Sequence, residues 1–142
     1  MSAAFLMGIN TNRYSRGLAF TLSDDGAYYT VSGIGSCTDA EVKIPPKYKG
    51  LPVTEIGRLA FNSCKSISSV VIPKSIVTIR YYAFLDSGLT TAIFADTSHD
   101  WGLYDNGLNV IGSVTKEEIA NATEVANMLR IKHSSRLWGK TE

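Results

Sequence analysis

Two segments of this 142-residue chain carry the same pattern. Residues 53–64 read VTEIGRLAFNSC and residues 76–87 read IVTIRYYAFLDS. Laid together, Ile56 falls on Ile79, Ala60 on Ala83 and Phe61 on Phe84, each at an offset of 23. A fixed period of about 20–29 residues with short β-prone runs is the signature of a solenoid. One coil cannot enclose its own apolar face; stacking equivalent coils closes it and aligns identical residues in ladders. The period therefore predicts Ile56 over Ile79 and Phe61 over Phe84 in one interior.

Three short apolar runs extend the pattern: VKIP at 42–45, VVIP at 70–73 and AIFA at 92–95. Proline closes the first two, because it has no N–H to donate to a sheet ladder. A second β-prone piece follows each of these two runs, then a corner on Ala60 and Phe61 or Ala83 and Phe84, then Ile67 or Leu89. The offset through Ile67 and Leu89 is 22, since the second copy drops one residue after its corner. The first copy has an extra turn, Tyr48, Lys49 and Gly50, before Leu51 and Pro52. The expected core is Ile56, Ala60, Phe61, Ile67, Ile72, Ile79, Ala83, Phe84 and Leu89.

So few coils need covers at both ends, where a bare sheet edge and an apolar face would otherwise meet water. Leu18, Phe20 and Leu22 alternate with Ala19 and Thr21, Ser23 to Gly26 supply turn chemistry, and Tyr29 and Val31 alternate again: a β-hairpin. It is the expected N-terminal cover. At the other end Asn121 can cap a helix whose third residue is Glu124. Ala122, Val125, Ala126 and Leu129 then share one face. Trp138 is expected to pin the end of the chain, and Trp101 the loop after the last strand. The division expected is an arm over 1–16, a capping hairpin over 17–36, the solenoid over 37–94 and a helix-bearing cap over 95–142.

Charged residues make up 19% and hydrophobic ones 44%, a balance that suits neither disorder nor a membrane span. No run approaches the roughly 20 apolar residues that cross a bilayer. The apolar start at 3–7 is too short for a signal core and has no positive charge before it, so a chain made without a signal peptide is expected. Net charge is +1, but residues 41–91 hold seven Lys/Arg against three acids while both flanks are acidic. That balance does not favour nucleic acid as a partner.

The candidates for chemistry each have a plainer reading. Ser98, His99 and Asp100 spell a hydrolase triad, yet adjacent residues point apart and a triad is assembled from distant segments. His133 has only His99 as a fellow, too few for metal. Asp24, Asp25 and Gly26 suit a turn better than calcium, which needs more oxygens at set offsets. Gly33 and Gly35 lack the Lys-Ser/Thr and helix of a phosphate cradle. Glu117 and Glu118 suit a helix N-terminus, and Cys37 and Cys64 read as small packing residues, with a disulfide left open. The Asn121-Ala122-Thr123 acceptor pattern has no meaning without a secretory route. No catalytic, cofactor or metal residue is expected. What remains is surface: Tyr48, Arg58, Lys74, Arg80, Tyr81 and Tyr82 are the interface candidates, Tyr and Arg being favoured anchors.

Certain of these stretches resemble a known family. VIP at 71–73, the SIxxIxxxAFxxS shape of 75–87, GLPVTEIG at 50–57 and the leading DDGAYYTV at 24–31 with Gly33 are similar to BspA-like (Treponema pallidum type) leucine-rich repeats. The resemblance covers roughly residues 17–94. It implies a mainly β, short leucine-rich-repeat solenoid of parallel strands, with an N-terminal capping hairpin and one C-terminal helix. It also implies adhesion or protein contact rather than catalysis, and carries no catalytic residues. Long members resemble bacterial and protist surface proteins; short ones with such a tail occur among bacteriophage virion genes. The expectation is a non-enzymatic structural module without cofactor, placed in a phage tail, baseplate or capsid appendage. Its partners would be virion proteins or copies of itself. The alternative is a bacterial surface adhesion or recognition domain for a host protein or glycan.

Overall fold

The structure is a computed structural model, and it describes residues 13–142. The arm expected over residues 1–16 lies outside the described residues as far as position 12. From its remainder, buried Ser15 bonds both backbone groups of Lys43, donating its N–H to the carbonyl and accepting the N–H on Oγ.

The fold is mainly β with one short helix. β1 (Ala19–Leu22) and β2 (Tyr29–Gly33) form the expected antiparallel hairpin. β3 (Glu41–Lys43), β4 (Lys47–Tyr48) and β5 (Leu51–Ile56) follow, then β6 (Ser69–Ile72), β7 (Thr78–Ile79) and β8 (Thr91–Phe94). Successive copies lay their strands side by side in parallel. Ile56 pairs with Ile79 between β5 and β7, and Val70 pairs with Val42 and Ala92 across β3, β6 and β8. β2 joins the first of these sheets, Val31 against Ile56, also in parallel. The extra turn is a tight reversal from β4 into β5, with Lys49 and Gly50 at φ 50° and 83°.

The corners stack as well. Leu59, Phe61 and Ser63 donate their N–H groups to the carbonyls of Tyr81, Ala83 and Leu85 at 3.2, 2.7 and 2.9 Å. Leu59 and Ser63 have φ near +60°, and so do Tyr82 and Asp86, each 23 residues later. A left-handed backbone is costly for residues with a Cβ. Its recurrence at one offset makes it part of the repeat geometry, met by the hydrogen bonds between corners. Inside, the nine expected core residues are at most 5% exposed. The Phe61 and Phe84 rings lie 5.3 Å apart and nearly parallel, at 20°. Such a pair adds about 0.5–1.5 kcal/mol beyond its buried area.

The residue missing from the second copy has a physical counterpart at Gly88. Its N–H donates to the Cys64 carbonyl, and a Cβ there would collide with the Lys65 carbonyl oxygen. Gly88→Ala is accordingly expected to destabilise by about 1–3 kcal/mol, the usual cost of overpacking. Urea denaturation checks this; an unchanged midpoint would contradict the close approach.

The C-terminal third differs from expectation. It contains three strands besides its helix: β9 (Trp101–Tyr104), β10 (Val110–Val114) and β11 (Leu137–Lys140). β11 lies antiparallel to β7, with Trp138 opposite Ile79, and antiparallel to β9 on its other side. The sheet runs β1-β2-β5-β7-β11-β9-β10, so an antiparallel strand stands where another parallel copy would continue. Trp101 is therefore in a strand rather than a loop, its ring edge-on to Phe94 at 5.5 Å. Trp138 is buried in β11 and donates from Nε1 to the His133 carbonyl at 3.1 Å. The helix Ala122–Asn127 packs on β8; Asn121 Oδ1 accepts the Glu124 N–H at 3.1 Å, as its cap. It passes into a π-helical turn, Met128–Lys132, which leaves Met128 and Leu129 buried beside Val125 and Ala126. Glu117 and Glu118 belong to a separate single turn of α-helix, Lys116–Ile119, capped by reciprocal bonds between Thr115 and Glu118. Among the described residues no helix is long and apolar enough to cross a membrane.

Candidate interaction surfaces

The six interface candidates do not form one patch. Tyr48 lies where β4 turns into β5, stacked on Phe20 at 4.0 Å and edge-on to Tyr29 at 4.9 Å. Lys74 is exposed in the turn before β7, its carbonyl accepting Lys140 Nζ at 3.0 Å. Arg58, Tyr81 and Tyr82 sit beyond the opposite ends of β5 and β7, at the corner. Tyr81 donates its hydroxyl to the Asp105 carbonyl at 2.8 Å, and Tyr82 its N–H to the Ser134 carbonyl at 2.7 Å. Those two tyrosines thus tie the repeats to the C-terminal third. Only Arg58 and Lys74 of the six are exposed, the others being half-buried.

Arg80 has an internal task. Its Nε and a terminal nitrogen meet the two Glu55 oxygens at 3.0 and 3.3 Å, and the Glu55 hydrogen bond holds the guanidinium above its ordinary pKa. Thr30 donates to the same carboxylate at 3.3 Å, so one acid links three parallel strands across their outer face. The Lys65–Asp86 pair joins two corners, but both side chains are more than half exposed and such pairs contribute little.

The triad letters are spent on anchoring. Ser98 donates its hydroxyl and N–H to Asp96, and His99 Nε2 lies 3.7 Å from the same carboxylate. Asp100 accepts the Lys116 N–H at 2.7 Å, and its carbonyl holds Thr141. Lys140 Nζ, on a side chain only 9% exposed, meets Asp96 at 2.9 Å. The Ser98 bond first, then Lys140, holds the Asp96 carboxyl well below the usual carboxylate range. A depressed carboxylate contributes stability above its unfolded pKa, about 3.9. That contribution is lost as pH falls from there through the folded value. The thermal midpoint is therefore expected to drop below about pH 4, and to drop less steeply in Asp96→Asn. Parallel pH profiles would contradict the anchoring role.

Other chemical candidates resolve similarly. Asp25 accepts from the Ser23 hydroxyl and the Ala27 N–H, closing the hairpin turn. Cys37 and Cys64 are both free, and burial pushes the Cys64 thiol up. No cluster of three or more His, Cys, Asp or Glu suited to a metal occurs among the described residues.

Two surfaces escaped the sequence reading. Val71 and Ile93 face outward from β6 and β8 and, with Arg13, Tyr14, Glu41 and Lys43, line an open groove of about 590 Å³. At the far end of the larger sheet, Leu108, Val110 and Ile111 are exposed on the β9–β10 hairpin. The signal available for the second was a stretch without charge, residues 106–115.

Residues 36–104 match the family model described as a BspA type leucine rich repeat region (6 copies). A leucine rich repeat protein of T. pallidum is 25% identical over 56% of this chain and 36% of its own, with a TM-score of 0.47. A leucine-rich repeat protein from Bacteroides capillosus is 24% identical over 58% of this chain and 66% of its own, with a TM-score of 0.48. The chain thus spans about a third of the first protein and two thirds of the second. No curated protein matches it.

Proposed function

We propose that this chain, whose residues 36–104 match the model of a BspA-type leucine-rich repeat region, is a non-catalytic protein-interaction module built into a bacteriophage particle. In this reading it is a short solenoid, with the β1–β2 hairpin covering one end and the β11, β9 and β10 strands the other, and it serves as a tail, baseplate or capsid appendage. One observation carries the contact role. The repeated side chains are consumed in the interior, while exposed apolar residues gather at Leu108, Val110 and Ile111 on a terminal hairpin. Patches of that kind mark interaction sites. The triad letters, engaged in holding the C-terminal strand, support a non-enzymatic role.

The groove beside Tyr14, Val71 and Ile93 favours a second reading, recognition of a host protein or glycan at a bacterial surface. Isolation of the tagged full chain from its native source, with mass spectrometry of what accompanies it, separates the two. Virion structural proteins in fixed ratio are the expected companions. A host surface protein or glycan instead would overturn the virion assignment and support recognition.

A further inference from the structure

We infer that Asn106 and Gly107, in the turn between β9 and β10, form a self-modification site. There the Asn106 side chain cyclises on the Gly107 nitrogen and becomes a carboxylate, at a rate that Asp105 sets. They are the one Asn-Gly pair in the chain. Cyclisation needs a following nitrogen that is open to attack, and glycine has no Cβ to obstruct it and the freest backbone. Both residues are exposed, and no hydrogen bond engages the Asn106 side chain among the described residues. The other described asparagines are engaged or hindered. Asn62 Nδ2 donates to the Leu85 carbonyl at 2.9 Å, and Asn121 Oδ1 caps its helix. Asn109 and Asn127 precede Val110 and Met128, whose side chains stand beside the nitrogen that would attack.

The chemistry balances with water alone. Base removes the Gly107 amide proton, and the nitrogen forms a bond to Asn106 Cγ. The Cγ–Nδ2 bond breaks, and ammonia leaves with a proton in place of the one removed. Water then opens the cyclic imide at either carbonyl, giving aspartate or isoaspartate; nothing is oxidised or reduced. Asp105 opposes the first step. Its Oδ1 accepts the Gly107 and Asn109 N–H groups, both at 2.9 Å, and its carbonyl accepts the Leu108 N–H at 3.0 Å, closing the turn. These bonds, those from Asn109 first, hold the Asp105 carboxyl below its ordinary range, so it is charged wherever the reaction runs. A carboxylate bonded to an N–H disfavours removal of that proton. The turn must therefore open before the ring closes. Whatever the hairpin docks on, the product sets a second negative charge in the turn that carries exposed Leu108.

Incubation of the full chain in mildly alkaline buffer, followed by peptide mass spectrometry, tests it. The peptide holding Asn106 is expected to gain the mass difference between ammonia and water, in aspartate and isoaspartate forms that chromatography resolves. Gly107→Ala is expected to slow the change severalfold. Its added Cβ meets only the movable Asn109 and Asp105 side chains, at 3.1 and 3.5 Å, so the fold is kept. Asn106→Gln retains an amide at that position and is expected to be slower too. Asp105→Ala is expected to speed conversion severalfold in the folded chain and to leave the rate unchanged in urea, where the turn is gone. Asp105→Asn, which can still accept the N–H but carries no charge, is expected to speed it less. An unchanged Asn106 in the folded chain, conversion at the other asparagines alone, or a folded rate that Asp105→Ala does not raise would overturn the inference.

Discussion

Phe84→Ala is expected to lower the unfolding free energy by about 3–5 kcal/mol, the usual loss for a buried aromatic. The ring is 1% exposed and lies 5.3 Å from that of Phe61. It is held in a corner whose neighbouring carbonyl, at Ala83, accepts the Phe61 N–H. Truncation removes the transfer energy of the ring and leaves a cavity that these corner hydrogen bonds keep from collapsing. A domain is stable by only about 5–15 kcal/mol in all, so the variant sits near the edge of folding. Urea denaturation with an unchanged slope is the check. A loss under about 1 kcal/mol would mean that the ring does not bridge two copies.

Trp138→Ala is expected to cost a similar amount, about 3–5 kcal/mol, through a different part of the molecule. Trp138 is 1% exposed and stands in β11 between β7 and β9. The indole also satisfies the His133 carbonyl, which its loss leaves without that bond. Around the site are Ile79, Phe84, Leu129 and Arg136, so the cavity opens between the last repeat and the C-terminal third. Trp138→Phe keeps most of the apolar fill and is expected to cost less. Amide exchange distinguishes this from a general loss: the Tyr82 N–H, bonded to Ser134, should lose protection before the β2–β5 ladder does. Simultaneous loss at both places would show that β11 is not a separable closure.

The repeats were legible because their physics is repeated. Two copies must present matching side chains at matching places, so the shared offset of Ile56 with Ile79 and Phe61 with Phe84 revealed both strand pairing and core. The left-handed corners left no trace, since Leu59, Ser63, Tyr82 and Asp86 share no side-chain chemistry. The C-terminal strands were illegible for another reason. Gly102 and Gly139 interrupt the alternation of β9 and β11 because they pair across those strands beneath the Tyr104 ring, where a Cβ would crowd it. A strand that gives up side chains to admit a ring has no period to detect. The interface candidates suffered from sequence distance. Arg80 reads as a free cation until Glu55, 25 positions earlier, appears beside it on the neighbouring strand. Exposure of β10 follows from its place at the end of the sheet, a property of topology alone.

The central claim is that successive copies share one interior, and nuclear Overhauser spectroscopy on phenylalanine-labelled protein tests it most directly. Ring centroids 5.3 Å apart predict strong cross-peaks between the Phe61 and Phe84 ring protons, lost in Phe84→Ala. Absent cross-peaks between rings that are both assigned, or either ring broadened by a soluble paramagnetic agent, would contradict it.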